Sequence, residues 1–300
     1  MQKIYSPYRL KKEYWDTENK IIDDLQLIKN TIRRSLRSTV YDFHFEFHLA
    51  EHCNLNCIGC THFSPLAEPE FLEVEDFRND IERLSYLTGG NARFINLLGG
   101  EPLLHPEINS FFKIAREYFP EAKISIVTNG ILLPQMDNCF WTSCRENKIV
   151  IAVTEYPIGF DYLSIRNKIR NENIEFESFS GRQERYEMWS LFLDERGLNR
   201  PVDNFMKCQR SNACVFCSHG KLFPCPTMAS IRHFNRIFDT KMEISESDYI
   251  DIYKVSSIQE ILDFLKNPVP FCRFCNVEKR KYGLLWQQSK CEKNEWCPID

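Results

Sequence analysis

No stretch of the 300-residue sequence approaches eighteen consecutive apolar residues, the length a membrane-spanning helix needs. The N-terminus, MQKIYSPYRLKKEYWD, has no apolar h-region of the secretory type. Neither secretion nor a membrane partner is therefore expected, and the chain reads as cytoplasmic. An excess of charge of one sign is missing too. The formal net charge is −4, and no dense run of Lys and Arg is interleaved with aromatics, so nothing points to a nucleic-acid partner. Internal repeats, low-complexity tracts and flexible linkers are also absent. What remains is globular material with 43% hydrophobic and 13% aromatic residues, enough for one larger domain or one domain with a small appendage.

Cysteine is abundant, at thirteen residues. Disulfide scaffolds are mostly small and secreted, so clustered thiols in a long chain without a signal point to metal ligation. Cys139 and Cys144 stand apart from any cluster and read as packing residues or inert thiols.

The spacing of Ile21, Leu25, Ile28, Ile32 and Leu36 predicts an amphipathic docking helix over 17–37. Phe43, Phe45, Phe47 and Leu49 alternate with His44, Glu46 and His48, the period-two pattern of a strand. The two histidines read as hydrogen-bonded or solvated on its polar face. Phe77, Ile81, Leu84 and Leu87 predict a helix stopped by Gly89 and Gly90. Apolar strands and helical segments then alternate as βα units of a mostly parallel sheet. Polar motifs follow the strands in turn: a cysteine loop, GGEP, TNG and TEYP. In parallel α/β folds such strand ends share the face where ligands bind.

The cysteine loop, EHCNLNCIGCTHF, holds Cys53, Cys57 and Cys60 in eight residues with no local fourth thiol. Structural zinc and closed iron–sulfur cubanes take four ligands, and His52 and His62 lack zinc-finger spacing. Three thiolates leave one iron of a cubane open to a small molecule. The stretch resembles the signature of the radical S-adenosylmethionine (SAM) superfamily. In that family the open iron chelates SAM, and the reduced cluster cleaves it to methionine and a 5′-deoxyadenosyl radical that abstracts hydrogen from substrate. The resemblance implies an incomplete (β/α)6 TIM barrel over 41–200, preceded by a helical extension over 1–40. It also implies a one-electron reductant such as flavodoxin or ferredoxin. LLGGEP resembles the family's second motif, so Gly99, Gly100, Glu101 and Pro102 are expected at the methionine ammonium. IVTNG implies contacts from Thr128 and Asn129, with Thr154 after the next strand. Gly59 stands where the family usually has an aromatic residue near the adenine, and Phe63 is expected to take that role.

The last third holds a second cysteine set. VFCSHGKLFPC reads as two short strands about a His-Gly turn, and Ser257 with Glu260 forms a capping box for a helix carrying Ile258, Ile261, Leu262 and Leu265. Cys208, Gly220 and Cys225 have the spacing that opens the SPASM/twitch pattern, and Cys272-x2-Cys275 follows the helix. The arrangement is similar to the single-cluster twitch module of the butirosin-pathway 2-deoxy-scyllo-inosamine dehydrogenase type. It implies a small hairpin-plus-helix domain over 201–300 in which Cys208, Cys225, Cys272 and Cys275 hold an auxiliary [4Fe–4S] cluster. Cys214 or Cys217 stands as an alternative to Cys208, and a zinc ribbon as an alternative to the cluster. The terminal CEKNEWCPID reads as a non-ligating tail. Glu155, Tyr156, Arg182 and His219 are polar residues near the rims.

The resulting expectation is an enzyme with two [4Fe–4S] clusters and SAM, abstracting hydrogen from a small polar substrate. Carbohydrate or aminocyclitol oxidation, dehydration or epimerisation comes first. Maturation of a ribosomally made peptide is the first alternative, and an Fe–S or zinc regulatory protein the second.

Overall fold

The computed structural model describes residues 43–178, 187–208, 210, 211 and 214–297. The helix expected over 17–37, and Arg182, lie outside the described residues. The first half runs β1 (His44–Ala50), α1 (Val74–Thr88), β2 (Phe94–Gly99), α2 (Ile108–Tyr118), β3 (Lys123–Thr128), α3 (Asn138–Glu146), β4 (Ile149–Val153), α4 (Tyr162–Asn171) and β5 (Phe176–Ser178). The rest runs β6 (Glu187–Leu193), α5 (Pro201–Lys207), β7 (Val215–Ser218), β8 (Lys221–Phe223), α6 (Pro226–Ala229), α7 (Ile231–Phe238), β9 (Ile250–Asp251), α8 (Ile258–Leu265) and β10 (Cys275–Leu285).

Among the described residues, one sheet has the order β5-β4-β3-β2-β1-β7-β8-β9. Neighbours from β5 through β1 to β7 are parallel. β8 and β9 extend the edge antiparallel. The fold is α/β with a mostly parallel central sheet, consistent with a partial TIM barrel, and carries a cysteine-rich C-terminal region.

The alternation in β1 explains how it is buried. Phe45, Phe47 and Leu49 join the main apolar core with Phe77 and Ile81 of α1 and Phe111 and Phe112 of α2. Phe47 and Phe77 meet edge to face at 5.0 Å. α1 stops at Gly89, whose positive φ of 63° a glycine adopts without steric cost. On the opposite side of β1 Glu46 and His48 are buried too, and both histidines are hydrogen-bonded, His48 with Glu51 at 3.2 Å and His44 with Asn96 at 2.7 Å. Helices cover the outside of the sheet, and the polar positions face its concave interior. Exposure and polarity separate here because Glu46 lines an interior cavity and His48 is held by Glu51.

The C-terminal third differs from a detached appendage. β7 takes the free edge of β1 in parallel, so the cysteine-bearing hairpin continues the barrel sheet. The boundary expected at residue 200 falls between β6, which pairs antiparallel with β10, and β7, which completes the main sheet. At the hairpin turn His219 and Gly220 both have positive φ, the requirement of a two-residue type I′ turn. Asp80 of α1 pins that turn: Gly220 N–H donates to it at 2.8 Å, as does the Tyr253 hydroxyl at 2.8 Å. Burial raises the Asp80 pKa. Ser257 and Glu260 form the expected capping box at α8. A second core gathers Phe63, Phe234, Phe271, Phe274 and Trp296.

Candidate functional site

A cavity of about 290 Å³ opens at the C-terminal ends of the parallel strands. Cys53, Cys57 and Cys60 line it together with Gly99, Gly100, Thr128, Asn129 and Thr154. Four consecutive strand ends thus bring eight of the expected residues to one space. The glycines are needed for backbone contact with the cysteine loop itself. A Cβ on Gly100 would sit 2.1 Å from the His52 carbonyl oxygen, and one on Gly99 would sit 2.2 Å from that of Ala50. The close approach allows Gly100 N–H to donate to Ala50 at 2.8 Å and Glu101 N–H to donate to His52 at 3.0 Å. Asn129 is held by Asn54, accepting its amide at 2.7 Å, so the TNG turn and the cysteine loop are locked together.

Glu101 differs from expectation. It is fully buried and is not among the cavity-lining residues. Its Oε1 accepts from the Thr128 hydroxyl at 2.6 Å and from Leu103 N–H at 3.1 Å, while Oε2 accepts from Asn129 N–H at 2.9 Å. Burial outweighs these donors and pushes its pKa up to about 7. The carboxylate therefore braces β2 against β3 and presents the backbone of TNG to the cavity. Pro102 is buried in the short turn behind it. Phe63 is also a correction: it is turned into the second core, 5.6 Å from Phe234 and 6.0 Å from Trp296 between ring centroids, away from the adenine-side role. Its left-handed backbone, φ 54°, directs the chain there.

Cys208, Cys225, Cys272 and Cys275 converge on a second, smaller cavity. Cys214 is instead at the wall of the larger cavity with Glu46 and Arg210, and Cys217 is buried 3.9 Å from Asp80. Neither shares the space of the four thiols. Asn204 was not foreseen. Its amide donates to the carbonyls of Cys272, at 2.8 Å, and of Cys275, and so shapes the Cys-x2-Cys turn from α5. The only sequence hint was an amide on a short Pro-initiated helix just before Cys208. Cys291 and Cys297 line neither cavity, yet the tail is not loose: Trp296 is buried and its indole donates to the Cys60 carbonyl at 2.8 Å.

The donor sets are thiols in both places, the ligand chemistry that a thiolate-bound metal centre would take. Burial and the neighbouring charge of Glu101 push Cys53 up to about 12. Burial and the adjacent thiols push Cys225 up to about 11 and Cys272 up to about 12, and raise Cys275. Such thiols ionise together only around a cationic centre, which reverses the local electrostatics. Among the described residues no three His, Cys, Asp or Glu side chains stand together as the ligands of a metal ion; Cys53, Cys57 and Cys60 line one cavity, and Cys208, Cys225, Cys272 and Cys275 the other.

Residues 48–140 match the Radical SAM superfamily. That span contains the three-cysteine loop, GGEP and TNG, so the similarity covers the cavity-lining motifs and about a third of the chain. Similar curated proteins include GTP 3′,8-cyclase of Trichodesmium erythraeum, 37% identical over 94 residues, which are 29% of this chain and 27% of that protein. GTP 3′,8-cyclase of Chlorobaculum tepidum is 35% identical over 81 residues, 27% of this chain and 24% of that protein. The matched region thus spans about a quarter of these relatives. Among solved structures, BtrN in complex with AdoMet and 2-DOIA aligns with TM-score 0.45 and 16% identity, covering 79% of this chain and 94% of that one. Streptococcus suis SuiB bound to precursor peptide SuiA aligns with TM-score 0.42 and 10% identity, covering 80% and 68%.

Proposed function

We propose that this protein uses SAM and two [4Fe–4S] clusters to abstract hydrogen from a small polar substrate, with oxidation of a carbohydrate or aminocyclitol as the preferred outcome. The observation carrying this reading is the single cavity shared by three thiols and the glycine, threonine and asparagine tips of the neighbouring strands. Cys53, Cys57 and Cys60 would hold the SAM-binding cluster, and Cys208, Cys225, Cys272 and Cys275 the auxiliary one. When bound, SAM and its reduced cluster supply hydrogen-atom abstraction from an unactivated C–H bond. The chain's own residues do the rest. Gly99, Gly100, Thr128, Asn129 and Thr154 shape the SAM side, and Glu101 fixes Thr128 and Asn129 from behind. Glu46, Tyr156, Arg210 and Cys214 supply a polar wall on which a hydroxylated or amino-bearing substrate is oriented.

The cyclase relatives suggest a purine nucleotide as a rival substrate. Among the described lining residues Arg210 is the sole Lys or Arg, and Glu46 lies on the same wall. A triphosphate needs more cationic partners than that, so an uncharged or weakly charged polyol fits better. The test is incubation with deuterated candidate substrates and reductant. Deuterium in 5′-deoxyadenosine, with a carbonyl product formed one for one, supports the reading. A product of unchanged oxidation level carrying solvent deuterium points to epimerisation.

A further inference from the structure

The segment that follows β10 lies along the cysteine loop as a strap. Gln288 forms an antiparallel bridge with Cys57. Ile58 N–H donates to the Gln287 carbonyl at 3.0 Å, and Ser289 N–H donates to Asn56 at 2.8 Å. At the start of this ladder the Trp286 indole N–H points at the Cys57 sulfur, with Nε1 3.2 Å from Sγ. The other side of the indole approaches Tyr156, a cavity-lining residue after β4, with ring centroids 5.9 Å apart. Trp286 is thus fixed at both ends, by a strand-end aromatic and by the backbone ladder of residues 287–289.

We infer that Trp286 tunes the reduction potential of the cluster held by Cys53, Cys57 and Cys60. The inference rests on the proposed cluster at these thiols. Gaining one electron makes a cluster more negative and its thiolate sulfurs more electron-rich. An N–H dipole aimed at one of those sulfurs stabilises the reduced form more than the oxidised form, so the potential rises; hydrogen bonds to sulfur are an established lever on such potentials. The indole is suited to this because it is a donor without a titratable charge. Trp286 acts through Cys57 and is a positioning residue. Trp296, which donates to a backbone carbonyl instead of a sulfur, holds the loop without this electronic effect.

The experiment is an EPR-monitored redox titration of the anaerobically reconstituted full chain and of Trp286→Phe, which keeps an aromatic ring against Tyr156 and removes the N–H. The one-electron reduction equilibrium of the Cys53/Cys57/Cys60 cluster is expected to weaken about tenfold, which is about 59 mV more negative. The auxiliary cluster in the same sample should keep its potential and serves as the internal reference. An unchanged potential at full iron content overturns the inference while leaving the proposed function standing. Iron missing from the Cys53/Cys57/Cys60 site of the unmutated protein overturns both. Should the variant fail to retain its cluster, wild type labelled with ¹⁵N-tryptophan gives a second reading. Nitrogen hyperfine coupling to the reduced cluster supports the inference, and its absence overturns it.

Discussion

The Thr128 hydroxyl donates to Glu101 Oε1 at 2.6 Å, tying the tip of β3 to the tip of β2 beneath the cavity floor. With Leu103 and Asn129 N–H also directed at this carboxylate, Glu101→Ala leaves three donors without their partner. The expected cost is about 3 kcal/mol or more, seen as a lower unfolding midpoint. SAM affinity should fall along with stability, because Asn129 loses its anchor.

Glu101 also gives a pH dependence. Its folded-state pKa of about 7 lies above the ordinary 4.5, so between those values the folded protein holds a proton that the unfolded chain has released. Stability therefore falls as pH rises through that window, by at most about 3 kcal/mol. Glu101→Gln, which cannot ionise, should flatten the slope. Denaturant midpoints at pH 5 and pH 7.5 check this, and equal slopes for both proteins would contradict it.

Much of this site was legible in the sequence because the constraint is local. The three-cysteine loop, GGEP and TNG sit at successive strand ends, and parallel βα connectivity puts such ends on one rim. Glu101 was misread because a carboxylate in a ligand motif looks the same whether it faces the ligand or its supporting backbone; only burial distinguishes them. Phe63 was misread because the tail that attracts it, Trp296, is more than two hundred residues away. The alternation in β1 reports sidedness and not whether the polar side meets water or, as for Glu46, an interior cavity. Asn204, Asp80 and Trp286 left no motif, since single long-range hydrogen bonds have no sequence period.

The hairpin pin gives a prediction on folding. Asp80→Ala removes the acceptor for Gly220 N–H and the Tyr253 hydroxyl. It should destabilise the chain by about 2–3 kcal/mol, read in chemical unfolding, with β8 and β9 exchanging amide hydrogens faster than β2 and β3.

The isolated thiols should separate by burial. Cys139 is exposed and Cys144 is buried in the main core. Cys139→Ser is expected to be nearly silent. Cys144→Ser, which buries a hydroxyl among apolar side chains, should cost about 1–3 kcal/mol, measured by the same unfolding experiment.

The proposed auxiliary site is expected to separate radical initiation from turnover. Cys272→Ala with Cys275→Ala should lose the second cluster and the substrate-derived product, yet retain some uncoupled cleavage of SAM. Product analysis beside 5′-deoxyadenosine quantification checks it, and full product formation would show that the four thiols serve only as scaffold.

The central claim, that the strand-end cavity holds a SAM-cleaving cluster, is tested most directly by comparing iron content and 5′-deoxyadenosine formation in the anaerobically reconstituted wild type and in the protein with Cys53, Cys57 and Cys60 all replaced by Ala. The account predicts about eight irons in the wild type, as two cubanes of four, with SAM cleaved on reduction. The triple variant should hold about four irons and cleave no SAM. Tightly bound zinc without iron in the wild type, or equal SAM cleavage by both proteins, would contradict it.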